Sequence, residues 1–75
     1  MTYTINAQWD PEAKVWTATS DQIPGLAIEA ETMEELVKRL RVTIPELLEL
    51  NQVIKTGDEI VFQLCSERRE VVRAH

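Results

Sequence analysis

Apolar and polar residues alternate near the start of the chain with the two-residue period of a β-strand. Odd-numbered positions from Tyr3 to Trp9 are apolar and even-numbered ones are polar, as in a strand with one face in a core. Asp10-Pro11 suits the first two positions of a type I turn. A short loop would then place Trp9 opposite Trp16, in a second strand over 15–20.

The second strand turns Trp16 and Ala18 inward and three β-branched residues outward: Val15, Thr17 and Thr19. Pro24-Gly25 predicts a turn in which Gly25 has a positive φ. A third strand follows at once, because Leu26, Ile28 and Ala30 alternate with more polar or smaller neighbours. We therefore expect three consecutive antiparallel strands.

A helix is predicted after the third strand. Thr32 and Glu35 form a capping box, in which the hydroxyl accepts from the amide of Glu35 and the carboxylate reaches back to the cap amide. Pro45 interrupts the helix, and we expect a kink or, with slight preference, a break near 41–43; Thr43 and Glu46 would cap the second part. The apolar stripe at helical spacing consists of Met33, Leu36, Val37, Leu40, Ile44, Leu47 and Leu48.

After the helix, the chain is expected to turn into a last strand. Asn51 would end the helix in a left-handed conformation, and Gly57-Asp58 would form the turn. Ile60, Phe62 and Leu64 would face the core, with Cys65 on the opposite face. The tail 67–75 would either fray or pair with a neighbouring subunit's edge.

These elements predict an α+β fold of two layers in the order β-β-β-α-β. A right-handed crossover from the third strand to the fourth brings the fourth beside the first and gives the sheet order 3-2-1-4. Residues 1–66 would form the single domain and 67–75 its tail. We see no repeat or linker that divides the chain.

A chain of 75 residues buries a small core and commonly needs extra support. Its lone Cys65 excludes an internal disulfide, and the single histidine, His75, argues against a metal site. We therefore expect a homodimer or a larger oligomer, with no metal and no cofactor. One unpaired cysteine and the lack of a signal-like or membrane-spanning apolar run suggest the cytoplasm.

The formal net charge of −5 disfavours nucleic-acid binding and suits a basic partner, although solubility alone explains it as well. The basic Lys38, Arg39 and Arg41 would lie on the exposed helix face. Glu34 and Glu35, one turn earlier, would pair with Lys38 and Arg39. Trp9 and Trp16 fit a core better than a platform for stacking on bases, because no basic groove accompanies them.

Catalysis finds little support in the residue pattern. Asp10, Asp21 and Glu29 near strand ends would suit a two-metal nuclease only if they converged, and Asp10 and Asp21 also suit turns. Cys65 has no histidine that is held in place nearby, since the only one ends the chain. We expect a protein that is not an enzyme.

The sequence resembles the HicB-like antitoxin superfamily. The resemblance lies in Asp21-Gln22-Ile23-Pro24-Gly25-Leu26, in the following Glu29–Leu36, and in Ile44–Asn51. It implies a partial ribonuclease-H-like fold, to which the order 3-2-1-4 owes more than to the crossover rule. It also implies a toxin-antitoxin role in which the domain covers a small basic RNA-cleaving toxin. We do not expect the separate DNA-binding module of many members here, so only the protein-binding role is carried over.

Two functions follow as hypotheses. In the first, the chain masks a basic toxin-like protein; in the second, it is an orphan structural homo-oligomer with no toxin partner. Either way, the expected contact surface comprises the outward residues of the second strand and the turn after it, namely Val15, Thr17, Thr19, Asp21, Pro24 and Gly25.

Overall fold

The computed structural model describes residues 2–74 and forms two layers, a sheet and a helix. The sheet order is β3-β2-β1-β4, in which β1 is antiparallel to β2, β2 is antiparallel to β3, and β4 is parallel to β1. The predicted α+β fold and the order 3-2-1-4 are therefore confirmed. The elements are β1 (Thr2–Asp10), β2 (Val15–Thr19), β3 (Ala27–Ala30), α1 (Met33–Leu50) and β4 (Val61–Glu67).

The β1–β2 hairpin has the predicted register, with Trp9 opposite Trp16. The Asp10 carboxylate accepts hydrogen bonds from the amides of Glu12 at 3.0 Å and Ala13 at 3.2 Å. Lys14 closes the loop in a left-handed conformation, with φ 56. Asp10 thus fixes the turn locally, as short acidic side chains commonly do.

The connection between β2 and β3 is tied to the backbone of Thr4. Ser20 donates its hydroxyl proton to the Thr4 carbonyl at 2.7 Å, and the Gln22 side-chain oxygen accepts from the Thr4 amide at 2.6 Å. Ile23 is completely buried. The amide of Leu26 then donates to the Ile23 carbonyl at 3.3 Å.

Gly25 lies within this last turn with φ 84. Its position after Pro24 matches a type II turn, which requires a positive φ at that place. The predicted turn and backbone conformation are confirmed.

The predicted helix cap is confirmed in its main part. Thr32 has an extended backbone, and its hydroxyl oxygen accepts from the amide of Glu35 at 3.1 Å. The other half of the capping box is wrong, because the Glu35 carboxylate instead contacts Arg39 Nε at 3.4 Å. A cationic partner one turn later competes with the cap amide for the same carboxylate.

Pro45 lies inside one continuous helix, so the preferred break near 41–43 is wrong. The proline costs about 3 kcal/mol in a helix interior. Burying each large aliphatic side chain contributes about 1.5–3 kcal/mol, and a break would turn the second half of the stripe away from the sheet. Burial in the core therefore stabilises the continuous helix. Four of its residues are at most 1% exposed: Leu36, Leu40, Ile44 and Leu48.

The helix ends differently from the prediction. Asn51 has φ −83, and the left-handed residue is Gln52, with φ 60. The amide of Val53 donates to the Leu48 carbonyl at 2.9 Å, and that of Gln52 to the Glu49 carbonyl at 3.0 Å. These two bonds form a Schellman motif, which places the left-handed residue one position after the cap.

The next turn is as predicted. Gly57 has φ 92, the Asp58 carboxylate accepts from the Lys55 amide at 2.9 Å, and the Asp58 amide donates to the Lys55 carbonyl at 3.0 Å. It leads into β4, where Phe62 and Leu64 are half-buried and Cys65 is exposed. The predicted faces of this strand are therefore correct.

The core lies between α1 and the inner face of β1, β2 and β3. Trp16 packs against this core, whereas Trp9 does not belong to it, so the core interpretation is wrong for Trp9. Trp9 sits at the end of β1, where the sheet leaves it half-exposed. The buried residues are Tyr3, Ile5, Ala7, Ala18, Ile23, Leu26, Ala30 and the four helix residues named above.

The molecule is elongated and measures 56 × 21 × 19 Å. The tail contains neither helix nor strand from Arg68 to Ala74, and His75 lies outside the described residues. Val71 and Val72 in this tail are 92% and 91% exposed. Within residues 2–74, α1 falls short of the length of apolar sequence needed to cross a bilayer.

Candidate functional site

Three of the six predicted contact residues lie on the outer face of the sheet, opposite α1. Val15 and Thr17 are half-buried, and Thr19 is exposed. The threonine side chains on this face are short and polar. Thr17 Oγ1 donates a hydrogen bond to the Gln8 carbonyl at 3.4 Å. No helix or strand formed by residues 2–74 covers this face.

The other three, Asp21, Pro24 and Gly25, lie in the exposed connection between β2 and β3. A Cβ added to Gly25 would sit 3.9 Å from Leu47 Cδ2, which places this turn beside the second half of α1. Val15 begins β2, whereas Asp21 follows its end. The six residues therefore belong to β2 and to the connection that follows it, and their role in binding stays a prediction.

A distinct feature lies at the junction of β3 and α1. It is a shallow, open depression of about 480 Å³ lined by Val15, Glu29, Ala30, Glu31, Thr32, Glu35 and Arg39. We call it the acidic depression. Its location follows from local sequence, because β3 ends at Ala30 and the Thr32 cap starts the helix two residues later.

Arg39 is held in this depression by two contacts. Its Nη1 donates to the Glu29 carbonyl at 2.7 Å, and its Nε lies 3.4 Å from Glu35 Oε1. The side chains of this pair are 54% and 45% exposed, and an ion pair in such contact with water contributes little to stability. The pair does leave Arg39 oriented and partly neutralised.

The carboxylates outnumber the cation at this junction. Glu29, Glu31 and Glu35 line it with the single cation Arg39, and the nearby N-terminus of α1 adds only a partial positive charge. The outer edge of β3 pairs with no strand among residues 2–74. The arrangement can accept an extended segment on the strand edge and hold lysine or arginine side chains with its carboxylates.

The acids considered for catalysis are far from one another in the fold. Asp10 at the end of β1 fixes the hairpin loop, Asp21 lies beyond the opposite end of β2, and Glu29 belongs to β3. Within residues 2–74, no three His, Cys, Asp or Glu side chains are grouped so as to hold a metal ion. Cys65 is exposed on the outer face of β4.

Sequence reasoning missed the acidic depression. Glu35 was assigned to the helix cap, and Arg39 to an ion pair along the helix. The available signal was the presence of Glu29, Glu31, Glu34 and Glu35 within seven residues that span a strand end and a helix start. Their grouping on one surface depends on where β3 meets α1.

Comparison with known proteins identifies a family and a similar solved structure. The family described as Domain of unknown function (DUF1902) matches residues 2–75. The crystal structure of hypothetical protein TTHA1013 from the extremely thermophilic bacterium Thermus thermophilus is similar, with a TM-score of 0.81 and 46% sequence identity. The similarity covers 96% of this chain and 100% of that chain. Curated proteins give no match.

Proposed function

We propose a function for this chain, which belongs to the DUF1902 family: it is a non-catalytic module that binds and masks a small basic protein. The observation that carries the proposal is the acidic depression beside the unpaired edge of β3. There, Glu29 and Glu31 are exposed to a partner, and Arg39, the cation that lines the depression, is already paired with Glu35.

The binding mode follows from these two features. An extended segment of the partner adds to the edge of β3 through backbone hydrogen bonds, which supply affinity without depending on side-chain identity. The carboxylates select lysine and arginine at alternate positions of that segment and accelerate encounter through long-range attraction. The net charge of −5 strengthens this attraction for any cationic partner.

The resemblance to HicB-like antitoxins suggests which class of protein the partner belongs to. Those domains cover small basic RNA-cleaving toxins, and the present chain would do the same with a protein encoded next to it. The outer face with Val15 and Thr17 borders the acidic depression, so a covering partner would extend onto the contact surface expected from the sequence.

The test combines co-expression with charge reversal. The chain is co-expressed with the polypeptide of the adjacent reading frame, and complex formation and rescue of growth are measured. Glu29→Lys with Glu31→Lys is expected to weaken the complex at least about tenfold, because both charges face the partner. The matched control is Glu46→Lys with Glu49→Lys, which makes the same charge change on exposed helix positions outside the depression.

Two results would contradict the proposal. Equal weakening by both double variants would mean that only overall charge matters. The chain could also be recovered alone from native lysate in repeated preparations, with no small basic protein bound. That result would show that the proposed partner does not exist.

A second candidate function is a structural homo-oligomer without a foreign partner. It is favoured by the half-buried apolar face of β4, which carries Phe62 and Leu64. Capture from native lysate separates the candidates, because the first requires a bound basic protein and the second requires only copies of the chain.

A further inference from the structure

The two edges of the sheet differ in how well they are protected against pairing. β3 has four residues, carries Glu29 and is followed at once by Glu31. β4 has seven residues, VFQLCSE, with a single charge at its end, Glu67. Natural sheets protect edges by shortness and charge. By this criterion, β4 is the edge that lacks protection against a strand of its own kind.

The inner face of β4 is also incompletely covered. Ile60, Phe62 and Leu64 touch the core but stay half-exposed, whereas Tyr3 and Ile5 on the adjacent β1 are 8% and 0% exposed. Among the described residues, the backbone of α1 comes closest to β2 and β3, which leaves β4 at the far side of the sheet from the helix axis. Half-covered side chains of this size gain free energy when another apolar surface covers them.

The tail that follows β4 combines apolar residues with a charge opposite to the rest of the chain. Val71 and Val72 are 92% and 91% exposed. Residues 67–75 contain three arginines and two glutamates, whereas residues 1–66 contain eleven acidic and five basic residues. The tail is therefore complementary in charge to the body of a second copy.

We propose that the occupant of this edge is a second copy of the chain, bound through β4 and the tail. The two β4 strands pair antiparallel about a two-fold axis perpendicular to the sheet, which is the closed arrangement that identical surfaces favour. The result is a continuous eight-stranded sheet. Both helices lie on one side of it, and the inner faces of the two β4 strands form one apolar strip between them.

The alternation of side chains restricts the register of this pairing. A shift by one residue would place the inner Phe62 and Leu64 opposite outer residues such as Gln63 and Cys65. Allowed registers therefore place inner residues opposite inner ones, for example Phe62 opposite Leu64. In that register Gln63 lies opposite the Gln63 of the second copy, and the two-fold axis passes midway between these two identical residues.

Antiparallel pairing also determines where each tail goes. After its own β4, the tail runs past the beginning of β4 in the second copy. At that end of the molecule, Leu50 and Val53 are 76% and 56% exposed, and Asp58 and Glu59 are close in sequence to the strand. Val71 and Val72 would cover the apolar residues, and the tail arginines would meet the acidic ones.

Sedimentation velocity of the purified full chain tests the tail contact. The wild type is expected to sediment as a dimer of the 8.6 kDa chain at micromolar concentration. Val71→Asp with Val72→Asp should raise the dimer dissociation constant at least about tenfold, because four buried valines per dimer become charged. Both positions are exposed in the single chain, so its folding should not change. Val42→Asp, at a 59% exposed position of α1, is the control.

Disulfide trapping tests the edge and the register. Three chains are compared, each with one cysteine on the outer face of β4. Two carry a cysteine in place of Val61 or Gln63 together with Cys65→Ser. The third is the wild type, with Cys65 itself. Under oxidation, the position nearest the axis should form a covalent dimer rapidly, because only there do the Cα atoms come within about 7 Å. Glu29→Cys in the same background, on the β3 edge, should not.

The proposal is overturned by a wild type that remains monomeric in the ultracentrifuge as the concentration is raised to about 100 µM, well above a micromolar dissociation constant. It is also overturned by a dimer that Val71→Asp with Val72→Asp leaves unchanged, or by rapid trapping only at the β3 edge. These experiments use the purified chain alone, so their outcome is independent of whether a basic partner is found.

Discussion

The indole rings of Trp9 and Trp16 meet edge to face across the β1–β2 hairpin, with ring centroids 5.5 Å apart and an interplanar angle of 61°. The guanidinium of Arg68 lies 4.3 Å from the Trp9 centroid and 6.0 Å from that of Trp16. The pair thus extends from the core, which Trp16 contacts, to the first residue of the tail after β4. It anchors the base of a segment that is otherwise exposed.

This geometry predicts unequal losses of stability at the two tryptophans. Trp16→Ala should lower the free energy of unfolding by about 2–4 kcal/mol, because Trp16 packs on the core. Trp9→Ala should cost about 1–2 kcal/mol, mainly the aromatic contact and partial burial. Urea denaturation followed by circular dichroism at one fixed protein concentration measures both. Equal losses would contradict the placement of Trp9 outside the core.

Arg68→Gln tests the cation–π contact separately. The side chain is partly exposed, so the expected loss is only about 0.5–1 kcal/mol. Arg69→Gln, one residue further along the tail, is the matched control and should have a smaller effect. Denaturation by urea gives both values, and a larger loss at Arg69 would argue against the contact with Trp9.

Thr32→Ala should lower the free energy of unfolding by about 1 kcal/mol, because the amide of Glu35 loses its capping oxygen. Thr32→Ser keeps that oxygen and should be close to the wild type. Thr43→Ala, inside the helix, should have little effect. If Thr43→Ala cost as much as Thr32→Ala, a second cap would exist and the helix would not be continuous.

Pro45→Ala should stabilise the protein by about 1–3 kcal/mol, since alanine restores an amide donor and relieves crowding in the preceding turn. Glu46→Ala, its neighbour, is the control and should be nearly neutral. Thermal unfolding by calorimetry and urea titration both report the change. A neutral or harmful Pro45→Ala would indicate that the proline starts a new helix, where its ring is favourable.

Gly25→Ala should destabilise the protein by about 1 kcal/mol or more, because φ 84 is strained for a residue with a Cβ. Gly25→Asn should lose less, since asparagine tolerates this conformation better. Urea denaturation measures both losses.

If Gly25 acts only as a turn residue, neither variant should change binding of a basic partner at the acidic depression. Lost binding with unchanged stability would instead support the contact surface expected from the sequence.

Local patterns in the sequence were sufficient for most of the fold. Alternation defined the strands and their inner faces, and the cap at Thr32 and the turn at Gly25 are decided by neighbours a few residues away. The order 3-2-1-4 agreed with the handedness of the crossover but owed more to the family resemblance. The strands, the cap and the turn depend on short-range sterics or hydrogen bonds, which can be predicted from residues close in sequence.

The sequence by itself therefore determined the elements, their order and the charge of the chain. Tertiary structure alone decided that α1 continues through Pro45, because burial of Ile44 and Leu48 against the sheet outweighs a local helix break. It also decided that Arg39 reaches the Glu29 carbonyl, and that Phe62 and Leu64 on β4 stay less buried than Tyr3 and Ile5 on β1. These outcomes depend on how the helix and the strands pack against one another, and no local pattern encodes which faces of the finished molecule remain open.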